Sequence, residues 1–527
     1  MDIKTIKTME KVTQKQTGGI TKLAIAFVFI AIVFVWASLS HSEIPNNEFL
    51  IIGAVFGAYM AMNIGANDVA NNVGPAVGSG ALTLFWAIVI AAVFEAAGAL
   101  IAGGEVVKTI KKGIIDPSMI DNPEVFIWAM AAALLSAAIW LNLATSIGAP
   151  VSTTHSIVGG VMGAGIAAAG FTIVDWGTMT KIAASWIISP VLGGVIAASF
   201  LYFIKNKIIY KDDMLTNAKK IVPILVSIMA MAFVTYLMLK GVKKIVKVDF
   251  VTALMIGTAF AVATYFFVKP LILKAANKLE DTKVSVNSLF TIPLIFAAAL
   301  LSFAHGANDV ANAIGPLAAI NDAINSGGIS SKVEIPLWIM GVGAVGIAVG
   351  LALFGPKLIQ TVGSEITELD QMRAFSIAMA AAITVIIASQ LGLPVSSTHI
   401  AVGGVFGVGF LREYLDRSDT KKLYEVKAKF KENKKDLESL EKEFKILDKN
   451  KEKNKEDYIR IAELYKLIDE KEEIVKSEKK IFKSVKNIKY VKRDAVKKII
   501  AAWLITVPAA ATLSAVVFFT IKGIMTP

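Results

Sequence analysis

The chain has 527 residues, 55% hydrophobic and only 18% charged, with no cysteine and a formal net charge of +12. Soluble chains carry about 45–50% apolar and about 25% charged residues, so the composition argues against a water-soluble globular enzyme and for an all-α polytopic membrane protein. Disulfide scaffolds, thiolate chemistry and Cys-ligated zinc or iron–sulfur sites are excluded, and the positive charge suits lipid headgroups better than nucleic acid.

In chain order, a basic tail at residues 1–22, with Lys4, Lys7, Lys11, Lys15 and Lys22, leads into a first transmembrane helix at 23–43. The basic end resembles that of a signal peptide, but no A-x-A-like site follows the long apolar run, so the helix is read as uncleaved. A helical span takes about 20 apolar residues. Thirteen candidate stretches begin near Leu23, Phe49, Ala81, Val125, Val151, Ile182, Ile221, Val251, Leu289, Leu337, Met372, Val395 and Ile499, several of them short or broken by Gly and Pro.

Two motifs recur in the same order. Asn63-Ile-Gly-Ala-Asn-Asp-Val-Ala-Asn-Asn-Val-Gly-Pro75 returns 241 residues later as Ala304-His-Gly-Ala-Asn-Asp-Val-Ala-Asn-Ala-Ile-Gly-Pro316. Pro150-Val-Ser-Thr-Thr-His155, followed by Gly159, Gly160 and Gly163, returns as Pro394-Val-Ser-Ser-Thr-His399, followed by Gly403, Gly404 and Gly407. A weaker echo relates Val106-Val-Lys-Thr109 to Leu358-Ile-Gln-Thr361, and a fainter one the helices of Trp186 and Trp503. The chain therefore divides into a first transmembrane repeat at 49–204, an inter-repeat region at 205–288 with two transmembrane helices, and a second repeat at 289–410 and 498–521. Seven apolar segments lie between the start of one copy and the start of the next, an odd number that inverts the second, as in many transporters. Broken or re-entrant helices are expected at the midplane around 148–154 and 392–398, and a hairpin there leaves the parity unchanged.

A charged insert at 411–497 interrupts the second copy; residues 411–500 hold 28 of the 54 basic and 20 of the 42 acidic side chains. Phe430, Leu437, Leu440, Phe444 and Leu447, then Ile461, Leu464, Ile468, Val475 and Phe482, follow spacings of three, four and seven, which predicts an antiparallel coiled-coil arm. Its basic excess points to the cytoplasm. A solvated helical spacer is the favoured reading of this arm, and a regulatory or partner-binding arm is the alternative.

Asp68 and Asp309 are the sharpest chemical signal. A carboxylate inside an apolar stretch is costly and normally faces a cavity, a partner or an ion; here two stand in equivalent positions, flanked by Asn67 and Asn71 and by Asn308 and Asn312. Asn-Asp-x-x-Asn puts carboxylate and amide oxygens on one helix face, a hard-oxygen set suited to alkali or alkaline-earth cations. The Pro-Val-Ser runs read as helix starts, whose free N–H groups and hydroxyls make an anion site without lysine or arginine. Two such starts brought together would hold one multivalent oxyanion; the plain alternative is simple capping. Thr109, Thr361 and Gln360 add donors from short broken segments, whereas Lys108, opposite Gln360 in the other copy, fits snorkelling. His155 and His399 suit a supporting hydrogen bond better than metal ligation, Glu95 a helix-pairing role, and Gly159, Gly163, Gly403 and Gly407 close helix packing. No nucleophile–base pair, phosphate-cradling Walker run or base-stacking aromatic patch stands out, so neither an enzyme nor a nucleic-acid binder is expected.

The duplicated Gly65-Ala-Asn-Asp-Val-Ala-Asn71 and Gly306-Ala-Asn-Asp-Val-Ala-Asn312, with the duplicated Pro-Val-Ser-(Ser/Thr)-Thr-His, resemble the inorganic phosphate transporter family of sodium- or proton-coupled phosphate symporters. The resemblance spans both copies and implies about twelve transmembrane segments, an inverted repeat, a midplane phosphate site and a homodimer. Carried over, it places phosphate among Asp68, Asn71, Thr109, Ser152, Thr153, Thr154, Asp309, Asn312, Gln360, Thr361, Ser396, Ser397 and Thr398, and sodium at Asn67, Asp68, Asn308 and Asp309. Sodium ions enter as coupling substrates and no cofactor is expected. The arm lies inside the second copy, unlike the large loop between halves in familiar members. The expected function is sodium-coupled phosphate import in the cell membrane; proton-coupled phosphate or metal–phosphate symport, a sulfate permease, and a channel or phosphate sensor remain open.

Overall fold

A computed structural model describes residues 3–526 apart from 44–46, 121, 150, 242–247, 327–334, 365–368, 418–419, 451–453, 487–490 and 492. The first copy is built from α2 (Asn47–Asn67), α3 (Ala70–Gly78), α4 (Leu84–Ala102), α5 (Gly104–Lys112), α6 (Pro123–Ser146), α7 (Thr153–Ala169) and α8 (Trp176–Ile204), preceded by α1 (Ile3–Ser40). α9 (Met214–Lys240) and α10 (Phe250–Ala276) lead to α11 (Lys283–Ser288), α12 (Thr291–Ser326), α13 (Leu337–Ser364), α14 (Gln371–Gln390) and α15 (Ser397–Arg417). α16 (Thr420–Lys449) and α17 (Lys455–Lys486) form the insert, and α18 (Arg493–Met525) closes the chain.

Lipid cannot satisfy backbone polar groups, so a chain in it folds into helices that bond internally. Among the described residues the β-pairing is a single isolated bridge, Ile115 to Val174. Among the described residues, eleven helices are long and apolar enough to cross a membrane. The two expected stretches that fail to qualify begin near Val151 and Val395 and become α7 and α15. α7 has only 17 residues, and α15 opens on Ser, Thr and His and carries Arg412 and Glu413 in its second half. Each follows a turn whose glycine, Gly148 at φ +75° or Gly392 at φ +67°, takes the left-handed conformation that a side chain resists. Charged caps mark other helix starts. The backbone N–H of Thr178 donates to Asp175 before α8, and that of Thr216 to Asp213 before α9, which holds each carboxyl below its usual range.

The copies pack by exchange. α2 lies against α13 and α12 against α4, and these crossings are tight. A methyl group on Gly65 would sit 1.9 Å from the Ile347 carbonyl oxygen, and one on Gly306 would sit 2.1 Å from that of Glu95. α7 lies against α18, where a methyl on Gly163 would meet the Ala511 carbonyl at 2.2 Å. α15 lies against α8, where one on Gly403 would meet the Pro190 carbonyl at 2.2 Å. The spaced glycines thus act as the packing devices their pattern suggested.

The chain separates into two compact units, Met1–Val408 with Arg493–Pro527, and Gly409–Lys492. In the second, α16 and α17 pair antiparallel: Arg460 meets Glu443 at 2.9 Å, Lys471 meets Asp436 at 2.9 Å, and Asn433 donates to Glu478 at 2.9 Å. Of the spaced apolar residues Leu437 and Leu464 are buried and Phe430, Leu440, Phe444, Leu447, Ile461, Ile468 and Val475 half-buried; the side chain of Phe482 lies outside the described residues, as does Pro150.

In the first unit Lys111 on α5 pairs with Asp322 on α12, both buried. Removing one partner of a buried pair leaves the other charge uncompensated, so Lys111→Met should cost about 3–5 kcal/mol. Thermal unfolding in detergent should show this loss, and Lys111→Met combined with Asp322→Leu should recover most of it.

Candidate functional site

The two Asn-Asp motifs meet in the core of the first unit. α2 ends at Asn67 and α3 begins at Ala70, so Asp68 occupies a helix break. There the N–H groups of Asn71 and Asn72 bond back three residues, to the carbonyls of Asp68 and Val69, both at 3.0 Å. α12, in contrast, runs unbroken through Asp309. In both copies the carboxylate and the second amide share a face: Asn71 Nδ2 lies 3.4 Å from Asp68 Oδ1, and Asn312 Nδ2 lies 3.2 Å from Asp309 Oδ1.

Hydroxyls from the first turns of α7 and α15 complete the cluster reciprocally. Thr153 donates to Asp68 Oδ2 at 2.7 Å and Ser397 to Asp309 Oδ2 at 2.8 Å, each within its own copy. Thr398 donates across to Asp68 Oδ1 and accepts from Asn71 at 2.9 Å. Thr154 lies across from Asp309 Oδ1 at 3.3 Å and accepts from Asn312 at 3.1 Å. Its one proton also has the Val395 carbonyl at 2.9 Å. All eight side chains are buried.

Other expected site residues are engaged elsewhere. Ser152 and Ser396 are helix caps, accepting the N–H of His155 at 3.1 Å and of His399 at 3.2 Å. Asn67 holds the α6–α7 turn: its Nδ2 donates to Thr145 Oγ1 at 2.8 Å and the Ala149 carbonyl at 3.1 Å, and its Oδ1 accepts from Val151 N at 3.2 Å. Asn308 holds the α14–α15 turn through Ser389 Oγ at 2.9 Å and the Leu393 carbonyl at 3.3 Å. Thr109 donates to the Gly392 carbonyl at 2.7 Å, outside the aspartate cluster. The side chains of Gln360 and Thr361 lie outside the described residues.

His305 is the residue that sequence reasoning missed. Its Nε2 lies 2.7 Å from Asp309 Oδ2 and 3.7 Å from Asp68 Oδ2, and its Nδ1 lies 2.6 Å from Glu95 Oε2. Glu95 also accepts from Asn72 at 2.7 Å, so it pairs α4 with both α3 and α12. The signal was present: His305 stands where the first motif has Ile64, at a point where the copies differ.

Three carboxylates and one imidazole thus share a buried centre, and among the described residues no lysine or arginine pairs with them. Even with His305 protonated, the cluster keeps a negative excess unless protons or cations join it. The Oδ1 atoms of Asn71, Asn308 and Asn312 are buried without a hydrogen-bond partner among the described residues. Unpaired amide oxygens beside carboxylates fit a hard cation. Ligand atoms of Asp68, His305 and Asp309 also lie within 4.8 Å of one another.

A bundle of membrane-crossing helices closed around buried carboxylates and hydroxyl-lined helix starts defines a multi-pass membrane transporter. The chain belongs to the phosphate transporter family, whose sequence profile matches residues 64–514. A Helicobacter pylori (strain J99) protein, provisionally named a phosphate permease, is 51% identical over 526 residues, 98% of each chain. A Pyrococcus abyssi protein with a similar provisional name is 40% identical over 366 residues, covering 69% of this chain and 90% of that one. A solved sodium-dependent phosphate transporter superposes with a TM-score of 0.73 at 32% identity, covering 91% of this chain and all of the other. Family and relatives are transporters, not enzymes.

The geometry separates two threonines that the sequence treated alike. A hydrogen bond to a charged group is worth about 1.5–3 kcal/mol, so Thr398→Val should lower substrate uptake by about 10- to 100-fold. Thr109→Val, which releases only a turn, should retain uptake within about threefold while costing about 1 kcal/mol of stability. Uptake and unfolding measured side by side on both variants check the contrast.

Proposed function

We propose that the chain is a secondary active symporter that imports inorganic phosphate together with sodium ions by alternating access around the Asp68–Asp309 cluster. One observation carries the reading: the cluster is already rich in carboxylates and, among the described residues, has no lysine or arginine to receive an anion. Phosphate can enter it only with cations, so the same groups that bind the co-ion make the anion tolerable. Coupling is then a property of the site's charge.

The membrane potential favours the same arrangement. Each elementary charge costs about 2.3 kcal/mol per 100 mV, so a dianion entering a negative-inside cell faces roughly 4.6 kcal/mol. Two monovalent cations cancel that cost, and a third adds about 2.3 kcal/mol of drive. Sodium is assigned to Asp68 and Asp309 with the amide oxygens of Asn71, Asn308 and Asn312. Asn67 leaves the expected sodium set because its oxygen is taken by Val151 N. Thr153, Thr154, Ser397 and Thr398, with the N–H groups at the starts of α7 and α15, are assigned to phosphate. An ionised aspartate accepts hydrogen bonds only, so it favours hydrogen phosphate, which carries a P–OH, over sulfate, which has no proton at neutral pH.

Proton coupling is the second reading, favoured by His305 standing between Glu95 and both aspartates. The cell membrane, with the basic insert on the cytoplasmic side, is the location that the charge pattern supports.

Labelled-phosphate uptake into proteoliposomes under an imposed sodium gradient, with potassium replacing sodium at matched pH and voltage, tests the coupling ion. Accumulation above equilibrium is expected only with sodium; equal uptake with potassium that follows a pH gradient would transfer the assignment to protons. Asp68→Asn should impair phosphate uptake and narrow its preference over sulfate, and unchanged selectivity with uptake retained would refute the aspartate's role.

A further inference from the structure

A column of four rings joins the two helix starts. Trp186 on α8 packs on His155 with centroids 3.8 Å apart, His155 meets His399 edge to face at 4.4 Å, and His399 stacks on Trp503 of α18 at 3.6 Å and 29°. Each copy supplies one histidine and one tryptophan. Both imidazoles are buried, 5% and 1% exposed, and none of their four nitrogens meets hydrogen-bond geometry with a described residue. The Trp503 backbone nonetheless lies beside His155, close enough to act as a weak supporting partner. Buried polar atoms without partners are rare and ask for a reason.

We propose that His155 and His399 are positioning residues whose flat rings set the separation of the two hydroxyl pairs, and with it the size of oxyanion that the site accepts. Each histidine directly follows the threonine that reaches across to the other copy's aspartate, Thr154 before His155 and Thr398 before His399. A change in the distance between the rings moves both threonines. The surroundings hold the rings in place. α7 is locked on α18 through Gly163, and α15 on α8 through Gly403, while the rings join each of these helices to the remaining neighbour. Trp186 also donates from Nε1 to the Pro394 carbonyl at 3.2 Å, which pins the backbone where the second hydroxyl run begins. Flat rings in direct contact have fewer ways to repack than flexible aliphatic side chains of equal volume, so a ring column makes the stiffer spacer. The property of these side chains that sets the spacing is their planarity.

The inference rests on the reading of the cluster as a phosphate site, and a wild-type chain that takes up no phosphate in proteoliposomes would remove that reading before the column is tested. With the wild type active, His155 and His399 are each replaced by Phe, which keeps a flat ring and removes the nitrogens, and by Leu, which keeps bulk without planarity. Phosphate KM, turnover, and discrimination against arsenate, an oxyanion of the same shape with longer bonds, are the readouts. The Phe variants should keep phosphate KM within about threefold, and the Leu variants should raise it by about tenfold, equivalent to 1.4 kcal/mol, with turnover changed less. The Leu variants should also lose part of their preference for phosphate over arsenate. A Phe variant that folds yet transports as poorly as its Leu counterpart would overturn the proposal in favour of imidazole nitrogen chemistry. A Leu variant with wild-type KM and selectivity would overturn it as well. Should the Leu variants fail to fold, the Phe variants still decide, since loss of transport in a folded Phe variant contradicts a spacing role.

Discussion

Carboxylates buried in a membrane protein cannot be left uncompensated, and the arrangement of this chain follows from that constraint. An unpaired charge in a low-dielectric interior costs several kcal/mol even after relaxation. Asp68 and Asp309 are each met by a hydroxyl of their own copy and one of the other, and by an amide three residues along the helix. These hydrogen bonds stabilise the carboxylates without neutralising them. The remaining negative charge must be answered by protons or cations.

The exchanged packing of the copies serves the same end. Because α2 lies on α13 and α12 on α4, neither aspartate is surrounded by helices of its own copy alone. Close crossings at glycine bring these helices near enough for short side chains to reach across. The contacts of the two copies correspond almost pair for pair, and the departures are informative. His305 replaces an isoleucine and pairs with Glu95, and the helix breaks at Asp68 but not at Asp309. The two carboxylates therefore stand in chemically distinct surroundings: Asp309 lies 2.7 Å from the His305 nitrogen and Asp68 3.7 Å.

Much of the site was legible in the chain because it is written twice. A duplicated polar motif in an apolar setting identified both aspartates, Asn71, Asn312 and the four central hydroxyls, all of which converge. Thr109, Ser152, Ser396 and Asn67 have the same polar chemistry, yet they are committed to turns and caps, while Asn308 holds a turn through its Nδ2 and leaves its Oδ1 without a partner among the described residues. Residue type and spacing cannot separate a hydroxyl that caps a helix from one that faces a carboxylate one residue further on. His305 escaped notice for the opposite reason: a search for what the copies share passes over what only one of them has.

The amino-acid sequence by itself determined the helical, membrane-crossing character, since apolar runs of span length in lipid have no other way to bond their backbone. It also determined the repeat, the paired polar motifs and the charged insert between apolar segments. Only the tertiary structure decided which copy completes each aspartate's shell, that Glu95 and His305 belong to the same centre, and that four rings meet between the two helix starts. Those contacts join residues far apart in the chain, such as Asp68 with Thr398, and follow from which helix faces pack together. Helix-facing periodicity shows that a face is buried, whereas the partner it is buried against depends on shape complementarity among all the helices at once.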